Sequence, residues 1–232
     1  MPDFYQFSLS GGDLDLDVTV NGFPLHAGEL DGSAAMVLNP YLIGKGNQLR
    51  CVVRRRGPDA TLNGALQVMQ PGDIADSLAS GGLALPQGPA PLDFSQSFDA
   101  KIAPFQPILQ AAAAATPQQM LPFALVLRDL LRKRDKAGFM NLLQPKIDCY
   151  AAAFDEKPQA MRGDIEAGIA AYFNSDLDFE LQDLVATPWC ENKVFELRRS
   201  NGKALVYMQQ EDGSMSMQVF VALINGKPAI VS

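Results

Sequence analysis

Any catalytic histidine in this chain must be His26, the single histidine in 232 residues. A Ser-His-Asp or Cys-His nucleophilic set would have to be built on it. It follows Asn21-Gly22-Phe23-Pro24-Leu25, a turn-rich stretch that reads as an exposed loop. There is no Gly-x-Ser-x-Gly elbow, and Cys51, Cys149 and Cys190 stand at wide spacing with no nucleophile context. The same scarcity disfavours a zinc site, which needs closely spaced His and Cys ligands. Asp13, Asp15 and Asp17 alternate as calcium-loop oxygens do, but the sixth position is Val18 where such a loop needs Gly. They read as the wet face of a strand. Asp164 and Glu166 are two apart on a predicted helix, so they point to different faces and are not the paired acids of a glycosidase. No catalytic residue, metal or cofactor is therefore expected. Three residues remain as binding candidates. Trp189 is the only tryptophan, in Thr187-Pro188-Trp189-Cys190-Glu191-Asn192. Its structural reading is closure of the core, its functional one an anchor for a ligand or partner. Arg198 and Tyr207 lie on the strands that follow.

Those strands belong to a C-terminal half that reads as helices first and sheet after. Thr116-Pro117-Gln118-Gln119 is a helix start, with a Thr cap, Pro in the first turn and Gln three residues on. Met120, Phe123, Leu127, Leu130 and Leu131 repeat at helical spacing, with Asp129 and Lys133 as an i,i+4 pair. The cations from Arg128 to Lys136 suit a helix C-terminus. Asp135 caps a second helix, Pro145 opens a third and Pro158 a fourth, whose Gly163 and Gly168 suggest close packing. Strands are expected at 177–181, 195–198, 205–208 and, as one long run, 215–224. Asn201-Gly202, Asp212-Gly213 and Asn225-Gly226 mark the turns between them.

In the N-terminal half, Phe4 to Leu9 reads as an edge strand and Leu14 to Val20 as a strand with one wet face, ending in the hairpin turn Asn21-Gly22. The loop 39–47 feeds a strand from Gln48 that ends at Arg54-Arg55-Arg56 before Gly57-Pro58, where the arginines hold an edge in solvent. A further strand over 61–69 is interrupted by Asn63-Gly64. Asp73 to Ser80 reads as a helical turn, Gly81 to Pro91 as a loop or linker, and Leu92 to Ala100 as a last strand. The five alanines Ala111 to Ala115 read either as part of a short helix from Ile108 or equally as a flexible tether.

The expected architecture is α+β: an N-terminal antiparallel β-sandwich over 1–100, a linker over 101–116, and over 117–232 a helical block packed on an antiparallel meander. Val18-Thr19-Val20-Asn21-Gly22, with Asn39 to Leu49 running into Cys51-Val52-Val53, resembles the strand-turn-strand idiom of galactose-binding-like jelly-roll domains. That resemblance implies a β-sandwich, and no aromatic platform for a sugar accompanies it. The element order over 120–231 is similar to the cystatin-like or NTF2-like α+β roll, in which a cone between helices and sheet holds a ligand, an active site or neither.

Composition bounds the partners. Hydrophobic residues make up 47% and charged residues 19%, enough apolar material for packed cores. A net charge of -7 opposes nucleic-acid and anionic-membrane partners. No run reaches the roughly 18 apolar residues of a membrane span. An odd number of unpatterned cysteines fits a reducing compartment, so a cytoplasmic location is expected, or a periplasmic one if a leader has been removed. The functional expectation is a non-enzymatic protein that binds a protein or small-molecule partner. The alternative is a small-molecule enzyme with a carboxylate-based site in the cone of the C-terminal domain.

Overall fold

The computed structural model describes residues 3–69, 78–174, 183–210 and 213–232. The fold is α+β, an N-terminal antiparallel sheet followed by helices and further antiparallel strands. Contacts divide the chain into two compact units, residues 1–106 with 153–155 and residues 107–152 with 156–232.

The first unit is built on β1 (Phe4–Val20), β2 (Phe23–Val37), β3 (Asn47–Met69), β4 (Leu78–Ala84) and β5 (Leu92–Phe98). They form one sheet in the order β2-β1-β3-β4, with β5 also on β3. The segment from Phe4 is thus not an edge strand: β1 lies between β2 and β3. Its buried residues change parity, Tyr5, Phe7 and Leu9 first and Leu14, Leu16, Val18 and Val20 after. A strand without a bulge would send the two runs to opposite faces. The register shifts between Gly11 and Leu14 absorb the mismatch, with Asp13 in the left-handed region at φ 58°. Both runs then join Leu30, Leu49, Cys51, Val53 and Leu66 in one buried cluster. The expected sandwich is realised as a single hydrogen-bonded sheet whose two halves share a core.

The same bulge corrects the reading of β3. The strand does not end at Arg56. It passes Gly57-Pro58, which sit in the unpaired gap between Arg56 and Thr61 of the β1–β3 register. Proline is tolerated there because no ladder bond is asked of it. Asn63-Gly64 does not interrupt the strand either. Gly64 leaves room for the Phe7 ring, whose Cζ would lie 2.7 Å from an added Cβ. The helical turn expected over 73–80 lies outside the described residues up to 77, and 78–80 opens β4. The expected linker begins inside that strand, leaving 85–91 as loop. Asn21 and Gly22 take φ of 52° and 79°, the hairpin geometry their types favour. Asn47, fully buried, accepts from the Ile43 amide at 2.9 Å and so closes the loop feeding β3.

In the second unit come α1 (Gln106–Ala111), β6 (Ala112–Ala113), α2 (Pro117–Met120), α3 (Phe123–Arg132), α4 (Lys136–Leu142), α5 (Gln144–Phe154) and α6 (Pro158–Asn174). Thr116 and Gln119 form the capping box, and Asp135 accepts from the Gly138 amide at 2.8 Å. Pro122 separates α2 from α3. The alanine run does not continue a helix: Ala112 and Ala113 pair with Ile224 and Leu223. Phe139 and Phe173 meet edge to face at 5.4 Å and join α4 to α6. Gly163 and Gly168 are exposed, and a Cβ added at either would meet nothing within 4 Å, so neither permits close packing.

The strands are β7 (Leu184–Trp189), β8 (Val194–Arg199), β9 (Val206–Gln210), β10 (Gly213–Met217), β11 (Val219–Ile224) and β12 (Lys227–Ile230). The strand expected over 177–181 and the first half of the Asp212-Gly213 turn lie outside the described residues. The long strand expected over 215–224 is broken at Gln218. β10 pairs with β9 in a separate hairpin, whereas β11 joins the sheet β12-β11-β8-β7. Asn225-Gly226 makes the tight β11–β12 turn, with φ of 52° and 77°. α2 lies against β7 and α4 against β12.

Candidate functional site

The break at Gln218 opens a cleft. Between the departing β9–β10 hairpin and β8 lies a space of about 390 Å³ lined by Glu196, Gly202, Ala204, Ser216 and Gln218. Among the described residues Glu196 is its only charged lining residue, and it is half-buried. On β8 it points away from Phe195 and Leu197, which are fully packed on the opposite face. Desolvation pushes the Glu196 carboxyl above the ordinary carboxylate range, against the pull of Arg198 and of the Trp189 indole toward its ionised form. Among the described residues no cation lies within ion-pair distance of it.

Two of the three binding candidates, Arg198 and Trp189, act on this carboxylate, and Tyr207 lies across the hairpin from a residue of the cleft wall. Arg198 stands two residues along β8 on the same face, and its charge reaches Glu196 without a salt bridge. Trp189 ends β7, opposite Val194 and on the Glu196 face. Its Nε1 is buried and meets no acceptor at full hydrogen-bond geometry, and Glu196 is the carboxylate it influences. Tyr207 pairs across the hairpin with the lining residue Ser216, and Lys203 Nζ lies 5.4 Å from its ring centroid. One wall is anchored from α6, where the Tyr172 hydroxyl donates to the Ser216 carbonyl at 2.9 Å. Burial raises the Tyr172 phenol, so it stays protonated and keeps that bond.

The turn beyond Trp189 is strained. Cys190, Glu191 and Asn192 all occupy the left-handed region, at φ of 49°, 57° and 64°. Each such non-glycine residue costs about 1 kcal/mol. The turn is held by Ala115 donating to the Asn192 carbonyl and by Lys193 Nζ donating to the Leu109 carbonyl, each at 2.9 Å. Trp189 is therefore fixed from its C-terminal side as well as by β8.

Other chemistry foreseen in the sequence resolves differently. His26 is in β2, opposite the core residue Val18, rather than in an exposed loop, and its Nε2 is buried without a partner. The cysteines are free and buried, with thiols pushed up to about 12 by desolvation, too high to supply thiolate near neutral pH. Asp15 and Asp17 both accept from Arg54, and that bond holds Asp15 below the usual carboxylate range. Arg50 donates to Asp93 and Arg55 to Glu29. Of the arginines expected to guard an edge, Arg54 ties β3 to β1, Arg55 reaches Glu29 on β2, and Arg56 donates to the carbonyls of Pro86 and Gly88, while β3 itself lies inside the sheet. Exposed pairs of this kind contribute about 0–1 kcal/mol each. Glu166 pairs with Lys136 at 2.8 Å, and Asp129 with Arg128 rather than with Lys133. Among the described residues no three His, Cys, Asp or Glu side chains converge as metal ligands, and no helix is long and apolar enough to cross a membrane.

No family model, curated protein or solved structure matches the chain.

Glu196 and Gln218 are functional candidates that the pattern of residues concealed. Glu196 alternates with Phe195 and Leu197 and so reads as an ordinary wet position. Gln218 sits within an apolar alternation that reads as unbroken.

Proposed function

We propose that the C-terminal unit is a non-enzymatic binding module for a small molecule, and that its cleft takes an amine or guanidine head group at Glu196. The observation that supports this reading is a half-buried carboxylate, without an ion-pair partner among the described residues, in the wall of a polar cleft. A partly desolvated anion is stabilised by a cation that donates hydrogen bonds to it, more than a solvated surface carboxylate would be. Gln218 and Ser216 add hydrogen-bonding groups around the head. Since Glu196 must be ionised to hold a cation, affinity falls as pH drops through its raised value.

Thermal unfolding in the presence of butylamine, 1,4-diaminobutane and butylguanidine, with butanol as the neutral control, tests the reading. The cationic compounds raise Tm in a saturable way and butanol does not. Glu196→Gln, which keeps shape and removes charge, abolishes the rise. A rise that persists in Glu196→Gln, or the absence of any rise in the parent protein, rejects the assignment.

A second reading, a carboxylate-based enzyme acting on a small molecule, draws on the raised Glu196 carboxyl, a property of general acids. It requires that a bound compound be consumed. Recovery of the compound unchanged after long incubation, by mass spectrometry, favours the binder. Turnover lost in Glu196→Gln favours the enzyme.

A further inference from the structure

The outer face of α3 is apolar over its first half, where a surface helix is normally polar. Phe123 to Leu127 is an unbroken apolar run, so the first half of the helix is hydrophobic all round. Phe123, Ala124 and Leu127 are buried, but Leu125 and Val126 are each 45% exposed. They are the most exposed large apolar side chains among the described residues. Seven residues further, Arg132 follows Leu125 and Lys133 follows Val126, returning to nearly the same face. The stretch 128–136 holds five cations against two carboxylates in a chain of net charge -7. Arg128 is engaged by Asp129 and Lys136 by Glu166. Arg132, Lys133 and Arg134 are exposed and have no ion-pair partner among the described residues. The helix dipole favours cations at this end but does not account for an apolar pair beside them.

We infer that this face docks an acidic amphipathic helix of a partner protein, with Leu125 and Val126 seating its apolar residues and Arg132 and Lys133 pairing with its carboxylates. The charge pattern selects this occupant. A second copy of α3 packed antiparallel would bring the cations against a first turn that has no acidic residue, and a parallel copy would bring cations against cations. An anionic membrane is opposed by the net charge of -7 and would need a longer apolar stripe than two exposed residues. Helix-in-groove recognition uses such apolar anchors, and the charged rim sets orientation and association rate.

The test is fluorescence anisotropy with a labelled peptide of about 18 residues, carrying Leu at positions i, i+3, i+4 and i+7 of each repeat and Glu elsewhere. The control is the same peptide with Lys in place of Glu. The full chain is expected to bind the Glu peptide about tenfold or more tighter than the Lys peptide, with affinity falling as salt rises. Leu125→Ser with Val126→Ser, and separately Arg132→Glu with Lys133→Glu, are each expected to weaken it about tenfold or more. Circular dichroism melting verifies that each variant is folded, and Leu125→Gln alone replaces the serine pair if that variant melts early. Equal affinity for the two peptides, no binding, or unchanged affinity in the variants overturns the proposal. So does binding to phosphatidylglycerol vesicles without preference between the peptides, or a dimer of the parent chain that the serine pair abolishes.

Discussion

At the scale of single residues, the proposed function rests on Glu196. Its carboxyl is raised by burial, so the folded chain favours the protonated form more than the unfolded chain does. The stability this contributes is fully present below the ordinary carboxylate value and is lost as pH rises through the raised one. Glu196→Gln, which mimics the protonated form, is therefore expected to melt at a higher temperature than the parent near neutral pH. The difference should vanish below about pH 4. Melting curves from pH 4 to 8 check this, and a difference independent of pH contradicts it. In the sequence, nothing local separates Glu196 from Glu180, which also alternates with apolar neighbours. The desolvation that raises Glu196 comes from its burial in the folded chain, which outweighs the opposing pull of Trp189 on a neighbouring strand. Residue types along one strand carry no record of either. His26 shows the reverse case. Its turn-like neighbours suggest a loop, but pairing with β1 draws it into β2.

At the scale of elements, caps and turns were the most legible features. The Thr116 capping box, the Asp135 cap and the Asn21-Gly22 and Asn225-Gly226 turns depend on contacts within a few residues, so sequence states them directly. Glycines were less legible, because their role depends on what packs nearby. Gly163→Ala and Gly168→Ala are each expected to stabilise the protein by about 1 kcal/mol, since α6 gains helix propensity and neither methyl meets a neighbour. Gly64→Ala should go the other way, by about 1–3 kcal/mol, because the methyl would meet the fully buried ring of Phe7. Urea unfolding of the three variants distinguishes these outcomes, and a stabilising Gly64→Ala would show that the Phe7 ring has room to move. The alanine run misled for a related reason. Helix propensity is a small bias per residue, and a ladder partner on β11 outweighed it for Ala112 and Ala113.

At the scale of the whole molecule, the α+β order of an N-terminal sheet and C-terminal helices with strands was legible because the N-terminal half alternates while the C-terminal half shows a helical period before it alternates. The folding of one sheet over a shared core was not, since it rests on bulges at Gly11 to Leu14 that shift parity without changing composition. The candidate cleft was hidden for the same sort of reason: a break at Gln218 in an otherwise regular alternation sends two strands into separate sheets. Charge is also unevenly spread, with a cationic stretch over 128–136 in an acidic chain, and that asymmetry separates the helix surface from the Glu196 cleft as the sites proposed for different partners. The cleft has a built-in reporter, because the one tryptophan of the chain influences its carboxylate. The most direct measurement is the emission of Trp189 as butylguanidine is titrated into the parent protein and into Glu196→Gln. A saturable change in the parent that is absent in the variant is the predicted result. The same change in both proteins, or none in either, would contradict the assignment of Glu196 as the binding group.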